Sequence, residues 1–264
     1  MISNSDIELY ATQGYLVIEN VLDETMLTLA RETCNAAVAW KEKQMQGSGI
    51  NDDGINLLNR RYFISCRKEK YFMERNISNK LDTIIFNELM ENICRATIGN
   101  TAYLHNEQFV VKYRDEESSF AWHQDSGYSV YRRDGSVGAE RHKPYLTCWI
   151  ALDDMTEENG TISVLPFNRA GNGQLTKHSW SNSEAAMVGY SGSDQGVLIQ
   201  IPAGSIVCFS SVTLHKSGPN LTSNPRRSYI IQYASTAFGY EDDPKRRYAP
   251  SGGQSFLVDG TRVI

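Results

Sequence analysis

The 264-residue chain sets 26 lysines and arginines against 31 acidic residues, for a net charge of −5, and is 41% hydrophobic and 22% charged. This is ordinary globular composition, long enough to bury a large core, and its acidic balance argues against nucleic acid or an anionic membrane surface as the main partner. No apolar run approaches the roughly 18 residues of a membrane-spanning helix, the N-terminus lacks the pattern of a signal peptide, and five cysteines without Cys-x-x-Cys spacing read as reduced thiols of a cytoplasmic protein.

The first hundred residues read as helix-rich. Residues 5–13 form a short helix capped by Ser5 and closed by Gly14. Residues 15–21 are apolar and β-branched, a strand. From Asp23 to about Gln46, Leu27, Ala30, Cys34, Ala37 and Val38 recur at helical spacing. Residues 47–54 are a loop, and 80–98 give a second amphipathic helix stopped by Gly99. From residue 103 the pattern changes to short strands, at 109–113, 145–152, 161–165, 197–201, 205–209 and 228–234. Glu158-Asn159-Gly160 and Pro202-Ala203-Gly204 are tight turns between some of them. Residues 168–195 and 241–254 are long polar loops. The expectation is one domain over 1–264: a helix-rich buttress (1–100), a β core (103–236) forming a barrel or sandwich, and a C-terminal extension (237–264).

The chemistry concentrates in three places. His123 and Asp125 stand in WHQDSGY, His215 in LHKSGPN, and Arg226 in NPRRSYIIQYA. Two imidazoles and a carboxylate make the facial triad of non-haem Fe(II) oxygenases, which leaves positions for 2-oxoglutarate and O2. The far carboxylate of 2-oxoglutarate then needs a cation, and Arg226 is the candidate. Its planar fork suits a carboxylate, and strand alternation turns the competing Arg227 away. The H-x-[DE] motif alone is weak: composition gives about 0.6 chance matches, and a second stands at His105-Asn106-Glu107. Period-2 geometry on a strand would put His123 and Asp125 on one face, and a turn-prone Ser126-Gly127 follows. His105 reads as a satisfied strand-edge residue, and His142 and His178 as solvated. Basic and aromatic residues beside the motif (Tyr128, Tyr131, Arg132, Arg133, Arg141, Lys143) suit a small acidic or conjugated substrate, or a solvated loop; Arg60 and Arg61 are equally ambiguous.

These blocks, with the N-terminal helix followed by Gly-Tyr-Leu-Val-Ile, TCWIALDDMTEENGTISVLP (147–166) and PAGSIVCFSS (202–211), resemble the phytanoyl-CoA dioxygenase family of Fe(II)/2-oxoglutarate oxygenases over most of the chain. One departure is Phe167-Asn168-Arg169 after Pro166, where family members often carry Gly-Ser-His. The resemblance implies a mainly β fold with flanking helices, a cupin-like double-stranded β-helix (jelly roll) with iron at its mouth. It also implies 2-oxoglutarate contacts from Ser217, Trp149 and Gln108, alongside readings of Ser217 as a turn cap and Trp149 as plain core. The implied activity is oxidation of a small-molecule substrate, foremost hydroxylation, with demethylation or desaturation on the same site. A halogenase would lack the carboxylate that Asp125 supplies. A non-redox cupin-like isomerase or lyase would show H-x-H, a third histidine and a glutamate.

Overall fold

The structure, a computed structural model, describes residues 2–48, 55–56, 61–137, 143–169, 173–237 and 253–264. It opens with helix α1 (Asn4–Gln13), strand β1 (Tyr15–Ile18) and helix α2 (Glu24–Ser48). Ser3, not Ser5, caps α1: its hydroxyl accepts from the Asp6 N–H at 3.2 Å, and the Asp6 carboxylate accepts from the Ser3 N–H at 2.8 Å. Both serines have an acid three residues on, and the earlier start lets Ile2 pack against the core. Gly14 closes α1 at φ 80°, a left-handed position that favours glycine.

Strands β2 (Ile55–Asn56) and β3 (Arg61–Ile64) follow, then helices α3 (Lys70–Glu74), α4 (Ile77–Lys80), α5 (Asp82–Ile85) and α6 (Glu88–Thr97). The continuous helix expected over 80–98 is therefore broken. Asn87 adopts an extended backbone and its side chain accepts from the Met90 N–H at 2.9 Å, starting α6 afresh. A short amide side chain that can bond nearby backbone favours such a cap over helix interior. Next come β4 (Ala102–Lys112), β5 (Phe120–His123), α7 (Asp125–Val130), β6 (Leu146–Ala151), β7 (Ile162–Leu165), β8 (Ser179–Ser181), β9 (Ala186–Val188), β10 (Val197–Leu198), β11 (Ile206–Ser210), β12 (Leu214–Ser217), β13 (Arg226–Ala234), β14 (Gln254–Val258) and β15 (Thr261–Arg262). The strand expected at 197–201 shrinks to β10 and a bridge between Ile201 and Met155. The polar stretch 168–195, expected as loop, carries the β8–β9 hairpin. Of the loops expected at 47–54 and 241–254, residues 49–54 and 241–252 lie outside the described residues, while α2 continues through Ser48 and Gln254 opens β14.

Two antiparallel sheets form the core. The larger runs β1-β11-β6-β13-β4-β14-β15, with β3 also pairing β4 and β2 pairing β3; the smaller runs β10-β7-β12-β5. Alternation along the larger sheet separates its faces cleanly. Cys148, Ile150, Cys208, Tyr229, Ile231 and Tyr233 pack outward against Leu27, Ala30 and Cys34 of α2 and Ile93 and Cys94 of α6. Trp149, Ala151, Val207 and Phe209 pack inward with Ile162 and Val164 of the smaller sheet. The helices thus cover one face of the large sheet, and the space between the sheets is left for the site. Antiparallel sheets closed face to face make the expected jelly roll.

Candidate active site

β12 lies between β7 and β5, and its register sets His215 directly opposite His123, with ring centres 4.2 Å apart. Asp125 arrives differently from the expected strand geometry. β5 ends at His123, Gln124 is the N-terminal cap of α7, and Asp125 is the first residue of that helix. The turn is fixed by the buried Gln124 amide, which donates to Val212 O (2.6 Å) and Gln174 O (2.8 Å) and accepts from the Thr176 N–H (2.8 Å). Even so, one ligand atom each from His123, Asp125 and His215 lies within 4.8 Å of the others.

Each of these side chains is held in one orientation. Nδ1 of His123 faces Ala121 O at 2.8 Å and Nδ1 of His215 faces Thr213 O at 3.0 Å. A ring nitrogen facing a carbonyl donates, so both rings offer their Nε2 lone pairs to an ion. Asp125 Oδ2 accepts from Thr147 Oγ1 (2.6 Å) and Gln232 Nε2 (3.0 Å), leaving Oδ1 facing His215 Nε2 at 3.6 Å. Burial, followed by the neighbouring His215, holds the His123 imidazole well below its ordinary pKa, so it is kept neutral as a ligand must be. Two imidazoles and one carboxylate beside an open cavity fit a ferrous ion. Among the described residues no other cluster of histidine, cysteine and acidic side chains has this geometry. Among the described residues, no third histidine and no glutamate of a non-redox cupin site joins it.

The triad opens into a cavity of about 780 Å³, which Arg226, Trp149, Ser217 and Gln108 also line. Arg226 is only 2% exposed and donates through Nη1 to Ser228 Oγ (3.1 Å), while its Nε has no partner. No carboxylate pairs with it among the described residues, and burial lowers its pKa to about 10. A buried guanidinium facing a cavity without an internal counterion fits the far carboxylate of a dicarboxylate. Arg227 points the other way and is used up by Asp153, with Nη2–Oδ1 at 2.5 Å and Nε–Oδ2 at 3.1 Å. Trp149 sits between both readings: it belongs to the apolar cluster between the sheets, and the Arg226 guanidinium lies 5.7 Å from its ring. Gln108, paired with Ile230 in the register, faces the same space. Ser217 Oγ accepts from Lys112 Nζ at 2.7 Å, and Lys112 also donates to Gly218 O at 2.6 Å.

Thr147, Gln232 and Lys112 were not singled out from sequence. Counting by twos from Arg226 along β13 reaches Gln232, a polar residue in an apolar strand. Lys112 likewise ends the apolar run 109–111. Two histidine expectations are corrected. His178 is buried, not solvated: its Nε2 accepts from the Gln124 N–H (3.0 Å), its Nδ1 faces Thr176 O (2.9 Å), and a Cβ on Gly127 would stand 2.4 Å from its ring. His105 sits inside β4 and not at its end, at a bulge in the pairing with β13, and it lines the cavity. The β4–β13 register slips there, with Gln232 opposite Asn106 and Tyr233 opposite Leu104. This bulge sends both His105 and Asn106 inward and Glu107 outward, where its carboxylate accepts from Ser65 Oγ, Arg67 N–H and Tyr229 OH. The second H-x-[DE] therefore cannot converge on one ion. Arg61, Tyr128 and Arg133 line the cavity, whereas Arg60, Arg141 and His142 lie outside the described residues.

The phytanoyl-CoA dioxygenase (PhyH) family model matches residues 10–228. A methylphosphonate hydroxylase of Gimesia maris is 23% identical, spanning 97% of this chain and 93% of its own. An ectoine dioxygenase of Bordetella bronchiseptica is 22% identical over 89% of this chain and 76% of its own. Among solved structures, EctD from S. alaskensis with 2-oxoglutarate and 5-hydroxyectoine superposes with a TM-score of 0.65 at 17% identity, covering 99% of this chain and 88% of that one.

Proposed function

The chain belongs to the phytanoyl-CoA dioxygenase family, and on that premise we propose how its residues divide the work. It is an Fe(II)- and 2-oxoglutarate-dependent dioxygenase acting on a small molecule. His123, Asp125 and His215 hold the iron, Arg226 takes the far carboxylate of 2-oxoglutarate, and Ser217, Trp149 and Gln108 border the same cosubstrate. The observation that carries this reading is the buried Arg226, which no carboxylate among the described residues pairs, in the cavity that the three ligands share. Bound iron, with O2, supplies the oxidation: 2-oxoglutarate is split to succinate and CO2 while a substrate C–H is oxidised, foremost by hydroxylation.

The chain's own residues position and protect. Ala121 O and Thr213 O fix the two imidazoles, and Thr147 and Gln232 fix the carboxylate, so that the ligands need little reorganisation when iron binds. Trp149, Ile162 and Phe209 wall the cavity with apolar surface that excludes water from the reacting centre. Asp125 is the only acid among the described lining residues, against Arg61, Arg133, Lys216 and Arg226, which supports an acidic substrate. We read the chain as a single catalytic domain, with 1–100 and 237–264 as its buttress and extension around the 103–236 core. Five free, buried cysteines support a cytoplasmic setting, and no described helix is long and apolar enough to cross a membrane.

Incubation with Fe(II), 2-oxoglutarate and ascorbate should yield succinate above a chelator-treated control. Absence of that difference would contradict the reading.

A further inference from the structure

Three cationic side chains stand in a row across the large sheet. Arg61 of β3 is directly opposite Lys112 of β4, and Lys112 is directly opposite Arg226 of β13. All three are buried, and among the described residues no carboxylate forms an ion pair with any of them, Asp115 acting on Arg61 and Asp153 on Arg226 only at longer range. Such a row is costly unless its members find partners. Lys112 finds Ser217 and Gly218 O, and burial together with the two flanking guanidiniums holds its amine well below the ordinary lysine value. Arg226 finds 2-oxoglutarate. With iron, Asp125, 2-oxoglutarate and Arg226 counted together the charges cancel, and Arg61 is left over.

Arg61 is only 2% exposed, yet it lines the cavity. Its Nη1 donates to Ser119 O (2.7 Å), its guanidinium lies 4.3 Å from the centre of the Phe120 ring, and its Nε is buried without a partner. Phe120 in turn lies against His123, ring centres 6.2 Å apart, so Phe120 stands between the Arg61 fork and a metal ligand on the wall of one cavity. Phe63, edge-on to Phe120 at 5.5 Å, extends this wall with apolar surface.

We propose that Arg61 is the specificity-determining residue of a second anion site, which recognises a carboxylate, phosphonate or phosphate group on the substrate and lays the substrate's apolar part along Phe63 and Phe120. The proposal rests on the assignment of the triad and Arg226 above. A planar guanidinium pinned by a backbone carbonyl and an aromatic face is preorganised for a two-bond contact with a planar or tetrahedral anion. It gives the cavity two separate anion sites, one at Arg226 for the cosubstrate and one at Arg61 for the substrate.

The test is calorimetric titration of the Fe(II)- and 2-oxoglutarate-loaded protein without O2. The probes are small carboxylates, phosphonates and phosphates, methylphosphonate among them, each set beside its neutral amide or ester. At least one acid should bind roughly tenfold or more tightly than its neutral partner. Which acid class does so identifies the anion. Arg61→Gln should weaken that acid by roughly tenfold or more, and by a larger factor than it weakens 2-oxoglutarate. Should Arg61→Gln not fold, Arg61→Lys answers the same question, since a point charge in place of the fork should weaken the acid by about threefold to tenfold. The proposal is overturned if no acid outbinds its neutral partner, if the Arg61 variants bind acids as the unmodified protein does, or if they lose 2-oxoglutarate more than the acid. Failure of the unmodified protein to bind 2-oxoglutarate at all would instead overturn the assignment on which the proposal rests.

Discussion

At the scale of single residues, neighbours in sequence have opposite environments. Arg226 is buried in the cavity and paired with no carboxylate among the described residues, while Arg227 is paired with Asp153 on the other face. Arg226→Ala should therefore raise the KM for 2-oxoglutarate steeply, by an amount equivalent to about 2–5 kcal/mol for truncating one partner of a buried charged pair. Arg227→Ala should leave that KM within a fewfold and cost about 1 kcal/mol of stability in a denaturant titration, since its ion pair is partly exposed. The opposite ranking would show the register of β13 to be wrong. His178 makes a pH prediction. Its Nε2 accepts from a backbone N–H, which requires the neutral ring, and burial holds its pKa below the ordinary 6.5. A depressed imidazole means that the unfolded chain takes up the proton first. Its contribution to stability is present above 6.5 and lost as pH falls below that value. The metal-free protein should lose Tm on acidification through this range, and His178→Gln, which keeps an acceptor there, should lose less. Residue types dictated by chemistry, the two histidines, the aspartate and the arginine, were legible in sequence. Thr147, Gln232 and Lys112 were not, because their roles come from register across β6, β13 and β4.

At the scale of elements, one extra residue decides which of two similar motifs faces the metal. The bulge at His105 splits that histidine from Glu107, so His105→Ala should keep the iron that His123→Ala loses, as metal analysis of the purified variants would show. Iron lost from the first variant and kept by the second would reverse the assignment. The inward row of β13 and β6 also predicts that Gln232→Leu and Thr147→Val weaken iron by roughly 10- to 100-fold, because each removes a donor that orients Asp125. Unchanged iron affinity in both would mean that the carboxylate needs no such support. The strands at 145–152, 205–209 and 228–234 were readable because they are short, nearly continuous apolar runs, as suits strands covered on both faces. β3 escaped because it is only four residues long and opens on Arg61, and the helix over 80–98 was overrun because its apolar spacing continues across the Asn87 cap. Asp125 was placed correctly beside the histidines for an incomplete reason: the chain turns from strand into α7 between the two ligands.

At the scale of the whole molecule, helices cover one face of the large sheet and the smaller sheet closes the other, leaving a cationic cavity around the triad. With Asp125 in the position a halide would need, product formed in excess chloride should carry no chlorine, whether it is hydroxylated, demethylated or desaturated. Under labelled O2 a hydroxylated product should carry the label, as mass spectrometry would reveal; chlorinated product would contradict the role of Asp125. The central claim is that His123, Asp125 and His215 hold Fe(II) while Arg226 anchors 2-oxoglutarate on it. The most direct measurement is an anaerobic titration of 2-oxoglutarate into the Fe(II)-loaded protein, following the visible absorption that chelation of a 2-oxo acid gives to ferrous iron. The absorption should appear in the unmodified protein, be absent from His123→Ala and His215→Ala, and need far more 2-oxoglutarate in Arg226→Ala. Equal absorption in either histidine variant, or an undisturbed titration in Arg226→Ala, would contradict it.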